Sequence, residues 1–196
     1  MRRRDAGSKK YMGLFIVAVM ILSTFGFIIG FNQNSAQDYS YNGFEFTQEG
    51  NQWVTEADTP FGKREFAFLF HPLSLNVDVP AAIPDAIKRT PEIVLAFDPN
   101  ITEIQYVDAA RFELSQYLIS YLGKNLRHAV TQNTTIYGFP VETCSQKPDV
   151  IYVTFEGSNE SSASITENCI TLTALNPTDY LEYSEKIIYM MLGIIQ

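Results

Sequence analysis

The chain has 196 residues, 46% hydrophobic and 18% charged, so it is too apolar for a disordered protein and long enough for one domain with an appendage. Its net charge of −8 argues against nucleic acid as a partner, because affinity for a phosphate backbone rests on clustered lysine and arginine. The charge is unevenly placed. Residues 1–10 carry +4 and residues 11–31 carry none, which leaves −12 on residues 32–196.

Residues 11–31 (YMGLFIVAVMILSTFGFIIGF) predict a transmembrane helix. At about 1.5 Å per residue the segment spans about 31 Å, the thickness of a bilayer's hydrocarbon core.

A buried helix of a soluble domain is one alternative, but such helices are usually shorter. A cleaved signal peptide is another, yet the apolar run continues where small residues should mark the cleavage site, and the one weak site follows Ala36. A pilin-like leader would carry an acidic residue early in the apolar run. We therefore favour an uncleaved anchor.

The charges on either side of this segment predict its orientation. By the positive-inside rule, residues 1–10 are cytoplasmic and residues 32–196 lie outside the cell membrane. Gly26 and Gly30 form a GxxxG pair that could support contact between two such helices. The predicted organisation is a basic tail (1–10), a single-pass transmembrane helix (11–31), a polar linker (32–40) and one extracytoplasmic domain (41–196).

Two cysteines, Cys144 and Cys169, follow the membrane segment. In an oxidising compartment an even pair most simply forms one disulfide, and the alternatives are two buried thiols or a metal site. We expect no metal, because there is no CxxC motif and only His71 and His128 could add imidazole ligands.

Three N-x-S/T sequons lie in predicted loops and are candidate glycosylation sites. A fourth asparagine of this kind, Asn176, is excluded by the proline that follows it. Loop sequons agree with an outward-facing surface. The three candidate sites are Asn100, Asn133 and Asn159.

The first half of the predicted domain begins with an antiparallel meander, since aromatic residues alternate with polar ones between turn-forming residues. Its strands are predicted near residues 44–46, 53–55 and 66–70, with turns at 48–51 and 58–62. A proline-rich connector with a short helix at 85–89 follows. The continuous apolar run 93–97 fits a strand buried on both faces, and residues 102–122 fit an amphipathic helix with Gly123 just past its end.

The second half is predicted to hold four strands and a last helix. That helix starts after Asn176 and Pro177 and stops at Gly193, with an apolar face made by Leu181, Ile187, Ile188, Met191 and Leu192. The order of elements predicts an α+β or mixed α/β fold with helices packed on a sheet. The four predicted strands are residues 135–143, 150–155, 163–165 and 169–173.

Five short segments of the C-terminal region carry a family resemblance: FPVETC at 139–144, VIY at 150–152, NCI at 168–170, SEKIIY at 184–189 and LGI at 192–194. With these segments the region resembles that of uncharacterised archaeal membrane-anchored proteins. The resemblance implies a basic N-terminus, one apolar helix and a cysteine pair flanking a β segment, and it implies no activity.

The sequence holds no GxSxG, HExxH, P-loop or GxGxxG motif. His71 ends a predicted strand, where a lone histidine could do chemistry, but a structural or surface role is the simpler interpretation. His128 is expected to be solvent-exposed. Asp98 follows a buried strand, where α/β enzymes often place carboxylates, yet Pro99 and Asn100 favour a turn initiator. We assign no catalytic residue and no cofactor.

Two classes of function remain. The first is a non-catalytic anchored domain that binds a partner or helps to assemble the cell envelope or a membrane complex. The second is a membrane-tethered hydrolase or redox helper with an unrecognised site, and a pilin-like structural subunit is a further alternative. Residues with perturbed pKa values in a deep pocket would favour an enzyme, and a flat patch of exposed aromatic residues would favour a binder. The expected partners are the bilayer, through residues 11–31, and a protein.

Overall fold

The structure, a computed structural model, describes residues 38–144, 147 and 149–196. The basic tail, the predicted membrane segment 11–31 with its Gly26 and Gly30 pair, and Ala36 lie outside the described residues. Among the residues that are described, no helix combines the length and apolar character needed to cross a membrane. The anchor therefore stays a prediction, and the fold below is that of the predicted ectodomain.

The described chain is a mixed α/β fold with two β-sheets and three α-helices, in agreement with the coarse sequence prediction. A short 3₁₀ helix, Pro72–Ser74, follows the first sheet. The helices are α1 (Ala82–Arg89), α2 (Ile104–Ser120) and α3 (Asp179–Leu192). The strands are β1 (Asp38–Tyr41), β2 (Phe44–Glu49), β3 (Gln52–Thr59), β4 (Gly62–Phe68), β5 (Glu92–Phe97), β6 (Asn125–Val130), β7 (Val150–Gly157), β8 (Ser162–Thr166) and β9 (Cys169–Ala174).

The first sheet is an antiparallel meander in the order β1-β2-β3-β4. The predicted meander is thus present, but it has one more strand than the sequence pattern indicated. β1 begins at Asp38, inside the predicted linker 32–40, and this corrects the domain boundary. β1 pairs with β2 because a two-residue turn at Asn42 and Gly43 joins them. The positive φ angles of these residues, 49° and 85°, give the turn the twist that neighbouring strands require.

The second sheet has five strands in the order β6-β5-β7-β9-β8, all parallel except β8. Helix α2 is the crossover that parallel strands β5 and β6 need. Both faces of β5 are covered, since Ile93 to Phe97 are fully buried, as the apolar run predicted. The predicted hairpin of β8 and β9 is also confirmed.

The strand predicted at residues 135–143 is wrong. The strand that follows α2 is instead β6, at the edge of the sheet, and its polar residues Arg127 and His128 hide it in the sequence. Only Val141 of the predicted strand forms a β-bridge, to Val130. Residues 136–144, here called the strap, run beside the end of β6 and are interrupted by Pro140, which has no amide hydrogen to donate to a ladder.

Helices α2 and α3 lie between the two sheets. The Tyr189 ring of α3 stacks on Phe68 of the meander with ring centroids 4.0 Å apart, while Tyr180 packs on Phe155 of the parallel sheet at 6.1 Å. Because both sides of α3 are covered, its buried surface is wider than the predicted apolar face. It includes Glu185, whereas Leu192 is only partly buried.

A disulfide joins Cys144 and Cys169, as predicted, with Cα atoms 5.6 Å apart. It connects the end of the strap to the first residue of β9. The Cys144 Sγ also lies 4.0 Å from the Thr154 hydroxyl oxygen on β7. The bond therefore fixes the C-terminal end of the strap to the parallel sheet, beside β7 and β9.

Candidate functional site

A cavity of about 200 Å³ opens between β4, α2 and α3, and we call it the β4–α2 cleft. Three glutamates line it, Glu65 from β4, Glu113 from α2 and Glu185 from α3, and no lysine, arginine or histidine lines it among the described residues. Its walls are otherwise largely aromatic. The aromatic residues are Phe66, Phe68, Phe112, Tyr117 and Tyr121.

Strand β4 supplies its aromatic wall through the alternation of side chains along a strand. Phe66 and Phe68 are buried and face the helices, whereas Glu65 and Ala67 are exposed. Side chains at adjacent strand positions point to opposite faces of a sheet, so Glu65 and Ala67 border the cleft mainly through their backbone.

The helices supply the other two walls through residues three and four positions apart, which share one face of a helix. Glu113, Gln116 and Tyr117 come from α2, and Glu185 and Ile188 come from α3. The α2 face is therefore half polar and half aromatic where it meets the cleft.

Three of the rings contact one another. Phe66 lies 4.6 Å from Tyr121 and 6.0 Å from Tyr117, measured between ring centroids, and the two tyrosines are 5.7 Å apart. Burial raises the pKa of Tyr117 above its usual value, so this hydroxyl stays protonated at neutral pH. Phe112 stands at the rim with 64% of its surface exposed.

Glu185 is 1% exposed and is held by two backbone donors. One carboxylate oxygen accepts from the Leu69 amide at 2.5 Å and the other from the Phe70 amide at 2.9 Å. Burial raises the pKa of Glu185 to about 8, although these donors lower it, and the nearby charge of Glu113 raises it further. Its contacts give it a structural role, because they attach α3 to the chain that leaves β4.

Of the four described residues with a buried side-chain atom that lacks a hydrogen-bond partner, Glu113 is the one that lines the cleft. Its Oε2 atom is buried and has no hydrogen-bond partner among the described residues. Burial raises the pKa of Glu113 to about 7, so this carboxyl changes its charge near neutral pH. The cleft thus combines aromatic walls with a carboxyl that is available to a ligand.

His71 caps the 3₁₀ helix and is buried. Its Nδ1 accepts from the Leu73 amide at 3.2 Å, and its ring packs edge-on against Trp53 at 4.8 Å and Phe46 at 5.1 Å. Burial lowers the pKa of His71, so the ring is neutral. These contacts favour the structural interpretation of this histidine.

His128 is half-buried in β6, so the expectation of a solvent-exposed histidine is wrong. Its Nδ1 lies 2.9 Å from Nη2 of Arg111, which is itself buried, pairs with Asp108 at 2.9 Å and stacks over the Phe97 ring at 4.1 Å. A guanidinium can only donate, so the histidine nitrogen accepts and the ring is neutral. Burial and the Arg111 charge both lower the pKa of His128.

Asp98 behaves as a turn initiator. Its Oδ1 accepts from the Asn100 amide at 2.9 Å and from the Gln132 side chain at 2.7 Å.

The sequon residues Asn100, Asn133 and Asn159 are all exposed. They follow β5, β6 and β7, and the carboxyl ends of these parallel strands meet at one edge of the sheet, where glycosylation remains a prediction.

Across the described ranges, no three histidine, cysteine, aspartate or glutamate side chains converge in a way that could hold a metal ion. Comparisons with protein-family models, curated proteins and solved structures find no match to this chain. The resemblance to archaeal membrane-anchored proteins stays a prediction.

Sequence reasoning did not identify Glu113 or Glu185. The sequence holds a partial indication that Glu185 is buried, because it lies close to Ile187 and Ile188 on the predicted apolar face. It holds none for Glu113, which has the pattern of an ordinary solvent-facing residue on an amphipathic helix. The aromatic half of the cleft was visible as the alternating Phe66 and Phe68.

Proposed function

We propose that the protein is a non-catalytic, membrane-anchored extracytoplasmic binding module whose β4–α2 cleft accepts a small ligand. The observation that carries this proposal is the unpartnered, buried Oε2 atom of Glu113 in a cavity walled by five aromatic residues. Small-molecule sites in proteins are concave and mostly apolar, with a few polar groups that orient the ligand, and this cleft has that composition.

The anchored, outside-facing placement rests on other features. The apolar segment 11–31 and the basic residues before it support a single-pass anchor with a cytoplasmic N-terminus. The disulfide between Cys144 and Cys169 supports an oxidising compartment, since such bonds rarely persist in a reducing cytoplasm. A binding module in this position would meet its ligand, and any partner in the envelope or a membrane complex, outside the cell.

A membrane-tethered hydrolase is the second candidate, favoured by two carboxyls with raised pKa values, about 7 for Glu113 and about 8 for Glu185, in one cleft. General acid–base pairs are tuned in this way. However, Glu185 already accepts two backbone hydrogen bonds, and no serine, threonine, cysteine or lysine lines the cleft among the described residues. One free carboxyl suits binding better than hydrolysis.

The proposal can be tested with water-soluble fragments of up to about ten non-hydrogen atoms, both charged and neutral. Thermal unfolding of the full-length protein in detergent would be measured with each fragment, for the wild type and for Gln116→Trp. Gln116 is exposed at the rim, so a tryptophan there should close the cleft without disturbing the core.

Gln105→Trp is the matched control, since Gln105 is exposed on the same helix but away from the cleft. We expect fragments that stabilise the wild type and the control but not Gln116→Trp. A screen in which no fragment acts, or in which all three proteins respond alike, would overturn the proposal. Turnover of a hydrolysable fragment that Gln116→Trp abolishes would favour the hydrolase instead.

A further inference from the structure

We infer that the ligand of the β4–α2 cleft is a small organic cation, a primary or methylated ammonium on a short hydrocarbon chain. This inference rests on the proposed function, since it names the chemical class of a ligand for the same site. It follows from the charge, the wall chemistry and the size of the cleft.

The cleft becomes negative when Glu113 ionises, and no basic side chain lines it among the described residues. The buried Oε2 atom of Glu113 has no hydrogen-bond donor in that part of the chain, and the charge of Glu113 raises the pKa of Glu185, so Glu185 keeps its proton more readily. An ionised carboxylate that leaves water without a partner loses its hydration at a high cost. An ammonium would supply both the missing donor and the opposite charge, whereas an alcohol would supply only a donor and a carboxylate would add repulsion.

The aromatic walls suit the same class of ligand. A cation is attracted to the face of an aromatic ring within about 6 Å, and the hydrocarbon chain that carries it gains from apolar contact. Phe66 and Tyr121 form one such wall, with ring centroids 4.6 Å apart. Phe112 at the rim offers a further exposed ring to a cation as it enters.

The size of the cavity limits the ligand. Its volume of about 200 Å³ equals the space of about seven waters at about 30 Å³ each. Pockets for drug-sized ligands hold about 300–1,000 Å³, so the cleft suits a smaller molecule. A chain of about four to six carbons with one ammonium matches this space.

The experiment uses full-length protein in detergent, with ¹³C-labelled isoleucine methyl groups. Ile188 lines the cleft, and its methyl signal, assigned with Ile188→Val, would report binding directly. The probes are n-butylammonium, 1-butanol and butyrate, which share a hydrocarbon chain of the same length and differ in charge. At pH 8 we expect n-butylammonium to bind at least ten-fold more tightly than 1-butanol, and butyrate to bind most weakly.

Two variants isolate the carboxylate. Glu113→Gln keeps the shape of the side chain and removes its charge, so it should abolish the preference for n-butylammonium over 1-butanol. Glu49→Gln is the matched control, because Glu49 is exposed on β2 and does not line the cleft. It should behave as the wild type does with all three probes.

The pH dependence of n-butylammonium binding gives an independent test of the inference. The groups that surround Glu113 are Glu185 from α3, Tyr117 and Tyr121 from α2 and its end, and Glu65 bordering from β4. Because the pKa of Glu113 is about 7, its ionised fraction falls roughly ten-fold between pH 8 and pH 6. The affinity for n-butylammonium should fall by a similar factor, and that for 1-butanol should not.

The outcomes separate this inference from the proposed function. If 1-butanol or butyrate binds as tightly as n-butylammonium, or if Glu113→Gln keeps the preference, the cation assignment is wrong and the cleft is still a binding site. If none of the probes shifts the Ile188 signal and the fragment screen also finds nothing, both proposals are wrong.

Discussion

The burial of Glu113 predicts that Glu113→Gln gains stability relative to the wild type as the pH rises. A carboxyl whose pKa is raised by folding binds its proton more tightly in the native state than in the unfolded state. The native state is therefore favoured by protonation, and stability is lost as the pH rises from the unfolded pKa of 4.5 toward the folded pKa of about 7. Glu113→Gln lacks this group and should escape that loss.

The magnitude follows from the two pKa values. A rise from 4.5 to about 7 makes the penalty for the buried charge about 1 kcal/mol at pH 5 and about 3 kcal/mol at pH 8. The difference in unfolding free energy between Glu113→Gln and the wild type should therefore grow by about 2 kcal/mol over this interval. A glutamine amide left without partners would lower stability equally at both pH values, so the slope carries the test.

Urea unfolding of the full-length protein in detergent would measure this slope. Trp53, the only tryptophan, lies half-buried in the meander and gives a fluorescence signal for unfolding. Glu49→Gln, at an exposed position, should track the wild type at every pH. A difference between Glu113→Gln and the wild type that does not change between pH 5 and pH 8 would refute the reasoning, because Glu113 would then be solvated in the native protein.

Three further predictions concern the core, the disulfide and the anchor. Leu114 is fully buried on α2, so Leu114→Ala should lower the unfolding free energy by about 2–5 kcal/mol, and a loss below about 0.5 kcal/mol would contradict the packing of this helix. Reduction of the bond between Cys144 and Cys169, which are 25 positions apart, should cost about 3–4 kcal/mol in chemical unfolding, and the native protein should contain no thiol that alkylates. Deletion of residues 1–31 should release a soluble, monodisperse domain, and its persistence in membranes washed with high salt would disprove the predicted topology.

The elements that could be predicted from sequence are those whose burial is uniform. The continuous apolar run of β5 identifies a strand covered on both faces, residues 150–155 were also predicted as a strand, and the alternating Phe66 and Phe68 identify one face of a meander. The sequence did not predict β6, because an edge strand tolerates polar residues such as Arg127 and His128. Their hydrogen-bond partners come from other parts of the chain, which only the folded structure brings close. β1 was missed although the Asn-Gly pair at residues 42–43 is a strong hairpin signal.

The cleft could not be predicted because its parts are far apart in the sequence. Phe66, Glu113 and Glu185 come from three elements, and only the packing of α2 and α3 beneath the meander brings them together. A single glutamate on an amphipathic helix is usually solvated, and nothing local distinguishes Glu113 from such a residue. The raised pKa is a property of the surroundings that the fold creates.

The strap also pairs with the edge of the parallel sheet, at the end of β6. The unpaired backbone groups of an edge strand are a template on which a second chain can add a strand. At Val130 both backbone groups are already engaged, since its amide donates to the Pro140 carbonyl and its carbonyl accepts from the Glu142 amide, each at 3.0 Å. The disulfide holds the far end of the strap in place, so besides crosslinking the chain it keeps the strap paired with this end of β6. Without the bond, the strap could leave this position and expose the backbone groups of Val130 to a second chain.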